Sequence, residues 1–401
     1  MNMLIIGNGF DLAHERPTKY EHFLQFLKLI HRTSSFYGNE REFIASMNTE
    51  QLSDHVRDYI LSAFQSRIPK RNAYADNEKP LIREIYRCLD ENVWYIYFQN
   101  IHSKNKMRGK DWIDFESEIR DIIKFFDGIF GDLYEPIPEN SGHFDGYNDK
   151  IRSFLITFTQ HNNHKSRGAD DKDTGVDFIK KTYQDLEKLI RCLEIYLDDC
   201  LGEMDITCYS PDIRELKIDS VLSFNYTTIP IDIYPILDTH THYIHGCAKA
   251  NRPREENNMV LGVNEYWKGD DKNTHTNFNL YKKFVQRIIK ETGIDYKRAL
   301  RYMRSEDNKR KTVLAGKNPD SPYTNHFYIF GHSLDVTDGD ILREIIETDD
   351  TDTTIFYRDK QQQANQIANL SKVLGQDELL KRTFSISPTI IFKKQADMKE
   401  L

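Results

Sequence analysis

The chain has 401 residues, of which 39% are hydrophobic and 29% are charged, as in an ordinary folded protein with room for a large core. Its formal net charge of -8 argues against broad attraction to nucleic acid or to an anionic membrane surface. No apolar run approaches the ~20 residues that span a bilayer, and the N-terminus lacks the basic region and cleavage site of a signal peptide. We therefore expect a cytoplasmic protein.

The cysteines argue against both a disulfide framework and a zinc site. They are odd in number and none forms a C-x-x-C pair, the spacing that many cysteine zinc sites use. His161 and His164 lie in a polar, irregular stretch that offers no rigid scaffold for a metal. We therefore expect reduced thiols and no metal, the cysteines being Cys88, Cys192, Cys200, Cys208 and Cys247.

The first predicted element is a buried strand, Met3–Ile6, because a short apolar run stops at a glycine. A turn, Gly7-Asn8-Gly9, separates it from Tyr20–Ile30, where apolar residues recur at helical spacing. A turn without Cβ atoms lets a phosphate approach the backbone amides at the start of a helix. A plain strand-to-helix turn explains the same residues nearly as well, because Leu12 takes the third glycine position of the full fingerprint.

A long helical region follows this N-terminal segment. Apolar residues recur three and four positions apart in three stretches, which predicts amphipathic helices. A proline-containing joint near residues 135–142 and a polar stretch at 161–175 interrupt the pattern. We interpret residues 41–215 as a helical insertion, with its clearest periodicity in Leu81–Ile101, Trp112–Phe126 and Val176–Leu201.

The α/β pattern returns after residue 215. Four apolar runs there end in small or polar residues, and a polar helix follows the last of them. We therefore predict an α/β fold of Rossmann-like type, with a mainly parallel sheet built from residues 1–40 and 216–401. The predicted strands are Asp219–Phe224, Thr241–His245, Phe327–Phe330 and Thr353–Tyr357, and the helix is Gln361–Leu374.

Polar residues stand at three of the predicted strand ends. Asn225 follows one strand, His245-Gly246 ends the next, and Gly331-His332-Ser333 follows a third. Taken singly, the asparagine could cap a turn and the histidine could be a core residue. Open parallel sheets, however, bind ligands at the carboxyl ends of their strands. We therefore expect Asn225 and His245 to face one another across a cleft that the two glycine turns also line.

Taken in order, these motifs resemble two family patterns. A resemblance to the sirtuin-type NAD-binding domain rests on Gly7–Asp11 with Pro17, Asn225-Tyr226, His245-Gly246 and Gly331–Val336. A closer resemblance, to the AbiH-like abortive-infection proteins of bacteria, rests on Leu4–His14 with Pro17–Tyr20, Phe224–Tyr226 and Gly331–Asp335. The sirtuin-like pattern covers only the predicted α/β parts, whereas the AbiH-like pattern spans most of the chain.

The resemblance implies roles in binding and cleaving NAD. Asn225 would lie near the nicotinamide ribose and position water or a hydroxyl group. His245 would be the base or the hydrogen-bond partner for that ribose. Contacts to the nucleotide are implied for Gly7, Asn8, Gly9, Phe10, Asp11, Gly246, Gly331, His332, Ser333 and Tyr357.

Three positions depart from the sirtuin pattern. Asp11 stands where sirtuins have serine, Glu15 takes a glycine position, and Thr227 replaces an acidic residue. The zinc cysteines of deacetylases are also missing. The resemblance therefore implies NAD hydrolysis or nucleotide sensing rather than protein deacetylation.

Two functions remain open from the sequence. The first is an antiphage enzyme that hydrolyses NAD to nicotinamide and ADP-ribose when a phage infects. The second is a non-catalytic sensor of NAD or ADP-ribose that gates a partner effector. Asn225 and His245 favour the enzyme, whereas Asp11 and Thr227 favour the sensor. The expected partners are NAD or a related nucleotide, a phage-derived trigger or partner defence protein, and a second copy of the chain, with neither membrane nor nucleic acid.

Overall fold

A computed structural model describes residues 1–47, 52–67, 79–107, 113–129, 148–162, 174–228, 233–234, 240–305 and 325–401. These residues form two compact units, and each unit is assembled from separate segments of the chain. The first unit comprises Met1–Arg16, Asp205–Cys247 and Glu291–Leu401. The second comprises Pro17–Met204 and Ala248–Lys290.

The first unit is built on a six-stranded sheet in which every pairing is parallel. The strands of the protein are β1 Asn2–Ile6, β2 Cys208–Tyr209, β3 Ser220–Ser223, β4 Thr241–Tyr243, β5 Asn325–Phe330, β6 Thr351–Tyr357, β7 Ile390–Lys394 and β8 Lys399–Glu400, with β2 and β8 pairing separately. Along the six-stranded sheet the order is β4-β3-β1-β5-β6-β7, which is the order of the Rossmann sheet when only these six strands are numbered. The prediction of a Rossmann-like α/β fold is therefore confirmed.

The centre of the sheet is buried on both faces, which explains the unbroken apolar run that begins the sequence. Met3 and Ile5 belong to the core cluster on one face, whereas Leu4 and Ile6 belong to the cluster on the other. The register places Ile6 opposite both Ser223 of β3 and Phe330 of β5. Three strands therefore end at the same level, and the residues that follow them meet at one edge.

The helices vary from single turns to 21 residues. In chain order the helices are α1 Asn8–Ala13, α2 Tyr20–Ser35, α3 Glu40–Met47, α4 Asp54–Arg67, α5 Pro80–Leu89, α6 Val93–Met107, α7 Phe115–Ile129, α8 Asp149–Asn162, α9 Gly175–Ile195, α10 Pro211–Arg214, α11 Asp271–Thr274, α12 Lys283–Ile289, α13 Tyr296–Met303, α14 Gly339–Ile346, α15 Lys360–Leu374 and α16 Gln376–Phe384. The short helix α1 follows β1 directly, while α14 follows β5 and α15 and α16 follow β6 in the first unit.

The second unit is helical, and its core relies on aromatic rings. Phe98 and Phe115 stack with ring centroids 4.0 Å apart, and the buried Trp94 donates from its ring nitrogen to the carbonyl of Thr182. A reciprocal capping box between Thr174 and Asp177 begins α9. The high content of phenylalanine and tyrosine is thus used in packing.

The units differ in extent from the domains expected from sequence. The second unit includes residues 17–40 and 248–290, which the sequence pattern assigns to the α/β part, and the first unit includes residues 205–215, which the pattern assigns to the helical insertion. Residues 17–40 belong to the second unit because the apolar face of α2 packs on α4, α5 and α6. Trp112, His164 and the joint at 135–142 lie outside the described residues, as does most of the polar stretch at 161–175.

Gly331 allows the loops after β1 and β5 to touch backbone to backbone. Gly9 donates its amide to the carbonyl of Gly331 at 2.8 Å, and a Cβ built on Gly331 would lie 2.1 Å from the nitrogen of Phe10. Gly331 also has a φ of +70°, in the region that favours glycine. Both its conformation and its surroundings therefore exclude a side chain.

We expect Gly331→Ala to lower the free energy of unfolding by about 3 kcal/mol or more, because strain and a backbone clash act together. Gly269→Ala is the matched control, since Gly269 has a φ of +59° with nothing within 4 Å of its added Cβ. That control should lose only about 1 kcal/mol, the cost of the left-handed conformation. Urea denaturation of both variants measures the difference, and equal losses would show that the close approach does not matter.

Candidate functional site

The residues that follow β1, β3 and β5 meet at the carboxyl edge of the sheet. Asn225, just after β3, donates its side-chain amide to the carbonyl of Gly7 at 3.0 Å. Gly7 and Gly9 in turn lie against Gly331 and His332. This point between β1 and β5 is where the strand order reverses, and in open α/β sheets it is the usual place for a ligand.

The amides of the glycine turn have partners within the protein. Gly7 donates to the carbonyl of Phe330 at 3.3 Å, Gly9 to Gly331 at 2.8 Å, and Phe10 to Gly7 at 2.8 Å. A Cβ on Gly7 would lie 2.8 Å from Cα of His332. The glycines are therefore required for packing of the two loops, and binding of a pyrophosphate by this turn stays a prediction.

Asp11 is a buried carboxylate on the inner side of α1. Thr227 donates its hydroxyl to Asp11 at 2.7 Å, and Asn225 is a second side-chain partner. Burial raises the pKa of Asp11 to about 6, although the bonds from Thr227 and Asn225 and the charge of Arg16 act in the opposite direction. Two of the positions that depart from the sirtuin pattern, Asp11 and Thr227, are thus bonded to each other.

A second polar cluster consists of Asp338 between two histidines. Nε2 of His245 lies 3.3 Å from one oxygen of Asp338, and Nε2 of His332 lies 3.6 Å from the other. All three residues are buried. The ring of Phe224 packs edge-on against both histidine rings, with centroids 5.6 Å from His245 and 4.4 Å from His332. We call these residues the His–Asp–His cluster.

The loop after β5 fixes the ring of His332. Leu334 donates its backbone amide to Nδ1 of His332 at 2.9 Å, so Nδ1 is an acceptor and the proton of the neutral ring is on Nε2, facing Asp338. Leu334 has a φ of +58°, which is rare for a residue with a side chain and costs on the order of 1 kcal/mol. Strain in this loop therefore accompanies a defined histidine orientation.

The two residues predicted to be catalytic belong to different networks. Asn225 bonds with Gly7 and Asp11, which lie next to Phe10, a member of one core cluster. His245 contacts Asp338 and Phe224, and Phe224 is a member of the other core cluster. These clusters lie on the two faces of the sheet, and the expectation that the two side chains face one another across one cleft stays a prediction. Both residues nevertheless lie at the predicted edge.

The remaining predicted residues have varied environments. Asn8 and Ser333 are exposed, so a ligand can reach them, whereas Phe10 is a core residue that packs on Phe330. Gly246 has a φ of +78°, which allows the turn after His245. Tyr357 is buried at the end of β6, with the amine of Lys360 5.5 Å from its ring.

Asp338 is the residue that sequence reasoning missed. In the sequence it stands between Asp335 and Asp340 at the start of a helix, where an acidic residue is most simply explained as a helix cap. Asp335 does act as a cap, because it accepts from the amide of Thr337 at 3.0 Å, whereas Asp338 has no capping bond to its helix. The signal in the sequence was that more acidic residues stand at this helix start than capping requires. Within the described residues no group of three or more His, Cys, Asp or Glu could hold a metal ion.

The first unit thus defines an α/β protein of the Rossmann-like class whose polar residues gather where the strand order reverses. The model of the family described as bacteriophage abortive infection AbiH matches residues 3–359. The chain therefore belongs to the AbiH family, and a role in abortive infection by bacteriophage follows from that membership. No curated protein and no solved structure matches the chain. Among the helices of the described ranges, none combines the length and apolarity that crossing a bilayer requires.

The raised pKa of Asp11 predicts a specific dependence of stability on pH. Because the native state holds this proton more tightly than the unfolded state, stability from Asp11 is present below its ordinary pKa of 3.8 and is lost as pH rises to about 6. The free energy of unfolding falls by at most about 3 kcal/mol over this range, because each pKa unit corresponds to about 1.36 kcal/mol. Asp11→Asn should remove this pH dependence. The free energy of unfolding of the variant should therefore rise relative to that of the wild type between about pH 4 and pH 7. Urea unfolding at several pH values measures this gain, and a constant difference would contradict the prediction.

Proposed function

We propose that this AbiH protein hydrolyses NAD to nicotinamide and ADP-ribose when a phage infects the cell. The observation that carries the proposal is the pairing of His245 with Asp338 at the edge where Rossmann-like sheets bind nucleotides. Loss of NAD would arrest the infected host before the phage matures, which suits the role of the family.

The sirtuin-like part of the proposal gains support from Asp11 and Thr227. The sirtuin pattern has a hydroxyl residue at the first position and an acidic residue at the second, whereas this chain has the reverse. The two side chains bond at 2.7 Å, so a carboxylate–hydroxyl pair exists here with its members exchanged. The bond accounts for both departures from the pattern together, so neither position taken alone indicates a lost function.

His245 is proposed as the base. Donation from its Nε2 to Asp338 leaves Nδ1 as the nitrogen with the lone pair, and Asp338 stabilises the imidazolium that forms. As the bond between ribose C1′ and the nicotinamide nitrogen breaks, its electrons leave with nicotinamide, and positive charge develops on the ribose. Water adds at C1′ and gives its proton to His245, which releases it to solvent afterwards.

Asn225 is assigned to binding rather than to proton transfer. Its amide group donates to Gly7 and contacts Asp11, which fixes the orientation of the side chain. The carboxamide oxygen is then the atom suited to accept from a ribose hydroxyl or from the attacking water. Asn8 and Ser333, both exposed, are proposed to contact the rest of the nucleotide, with Gly246, Gly331, His332 and Tyr357 forming the framework around it.

The alternative is a sensor that binds NAD or ADP-ribose and gates a partner effector without cleaving it. Its support in the sequence was the unusual pair Asp11 and Thr227, which the hydrogen bond between them explains without a change of function. We propose the second unit as the part that responds to a phage-derived trigger or a partner defence protein. An enzyme that is inactive without this trigger would bind the nucleotide without cleaving it, as a sensor does. The assay therefore needs extract of infected cells.

We expect His245→Ala to lower nicotinamide release by roughly 100- to 10 000-fold while nucleotide affinity changes little, because the ring acts on the transition state. Asp338→Asn should lower it by at least about 10-fold for the same reason. Asn225→Ala should mainly weaken binding. Nicotinamide release and nucleotide affinity are measured on wild type and variants, with and without extract of infected cells.

The chain offers a matched control in His326, whose Nδ1 lies 2.7 Å from Asp352. This second histidine–aspartate pair is at the amino ends of β5 and β6, on the opposite edge of the sheet from the proposed site. His326→Gln should leave turnover per folded molecule unchanged. Equal losses at His245 and His326, or full turnover in His245→Ala, would reject His245 as the base. Tight nucleotide binding by a wild type that never releases nicotinamide would select the sensor.

A further inference from the structure

The short helix α1 ends in a Schellman motif whose last residue is Arg16. The amide of Arg16 donates to the carbonyl of Asp11 at 3.0 Å, and the amide of Glu15 donates to the carbonyl of Leu12 at 3.2 Å. Glu15 has a φ of +61°, at the position that usually takes glycine. The side chain of the last residue in this motif commonly packs on the residue five positions before it. The motif therefore directs Arg16 back toward Asp11, and the charge of Arg16 does act on the carboxyl group of Asp11.

Arg16 is half-buried beside this turn. Within the described residues its buried Nε has no hydrogen-bond partner, and its guanidinium forms no ion pair. Asp11 does not pair with it directly, because the carboxyl group of Asp11 bonds with Thr227 and Asn225 instead. Burial lowers the pKa of Arg16 more than the charge of Asp11 raises it. A charge that has lost water without gaining a partner is costly, and such groups are common at functional sites.

The cations that follow β6, near the same edge of the sheet, differ from Arg16 because they have partners. Arg358 pairs with Asp359 at 3.0 Å, and Lys360 donates to Gln363 at 3.0 Å. A charge that already has a partner gains less from a bound anion. Arg16 is therefore better suited to an anion than either of these two residues.

A nucleotide with a diphosphate needs positive charge or hydrogen-bond donors near the glycine turn. Backbone amides at the start of a helix are the usual source of such donors. Here the amides of Gly7, Gly9 and Phe10 each donate to a backbone carbonyl of the protein. The turn therefore leaves most of the charge of a diphosphate to be balanced by another group.

Asn225 connects the turn with the surroundings of Arg16, because it bonds with both Gly7 and Asp11. A guanidinium presents its N–H groups as a planar fork that matches two phosphate oxygens. We infer that Arg16 binds the diphosphate of the nucleotide and does so in place of the amides of the glycine turn.

This inference rests on the proposed binding of a nucleotide at this edge, and it narrows the class of ligand. A ligand held by Arg16 must carry phosphate, so a nucleoside would gain nothing from this residue. The phosphates do not change while the bond to nicotinamide breaks, so Arg16 would stabilise substrate and transition state alike. Its loss should therefore raise KM and leave kcat nearly unchanged, in contrast to the loss of His245.

The test compares the affinities of ADP-ribose and adenosine for the wild type and for Arg16→Met by isothermal titration calorimetry. The variant should bind ADP-ribose at least about 10-fold more weakly, because charge-assisted hydrogen bonds to the phosphates are lost. Its affinity for adenosine, which has no phosphate, should be unchanged. Arg16→Lys should keep part of the affinity for ADP-ribose, since a positive charge remains.

Arg214→Met is the matched control, because Arg214 is an exposed residue of the same unit whose guanidinium lies 4.3 Å from the ring centroid of Tyr209. It should bind ADP-ribose like the wild type. Thermal unfolding without ligand tests for a structural role of Arg16. The melting temperature of Arg16→Met should stay the same or rise, because an apolar side chain replaces an uncompensated charge.

Equal affinity of the wild type and Arg16→Met for ADP-ribose would overturn the inference. So would a lower melting temperature together with an equal loss of affinity for both ligands, since Arg16 would then act on the fold. A wild type that binds no ADP-ribose would also overturn it. A wild type that binds ADP-ribose through Arg16 but never releases nicotinamide would reject hydrolysis alone and support this inference.

Discussion

The first unit depends on one close contact between two backbones. Gly9 and Gly331 approach so closely that neither position has room for a Cβ, and the hydrogen bond between them joins the loops after β1 and β5. Each loop leads into a part of the candidate site: α1 with Asp11 on one side, and the His–Asp–His cluster on the other. The contact thus sets the distance between the two networks, because both loops are anchored to it.

The sequence was sufficient for five strands of the six-stranded sheet and for the edge where polar residues gather, but β7 was not predicted. An apolar run that ends at glycine, as in Met3–Ile6, needs only local information, and so does the position of His245 after a strand. The neighbours of each strand could not be predicted, because an apolar run looks alike beside any partner. Asp338 shows the same limit, since its role depends on His332, earlier in the same connection after β5, and on His245, which follows β4.

The glycine turn shows how one residue type supports two explanations. A missing Cβ suits a phosphate and a neighbouring backbone equally well, and the sequence alone could not separate the two. The contacts of Gly7 and Gly9 account for both glycines through packing. Asp11 and Thr227 were likewise viewed as two separate departures, although they form a single bonded pair. Pairs of unusual residues are therefore better interpreted together than one at a time.

The place of β1 in the sheet also constrains how the protein is made. This strand leaves the ribosome long before its two neighbours, Ser220–Ser223 and Asn325–Phe330. At roughly 5–20 residues per second, synthesis leaves Met3–Ile6 without its second partner for tens of seconds. An apolar strand exposed for that time is prone to aggregation, and pairing across such sequence distances is slow. The nascent chain is therefore expected to depend on chaperones until β5 has emerged.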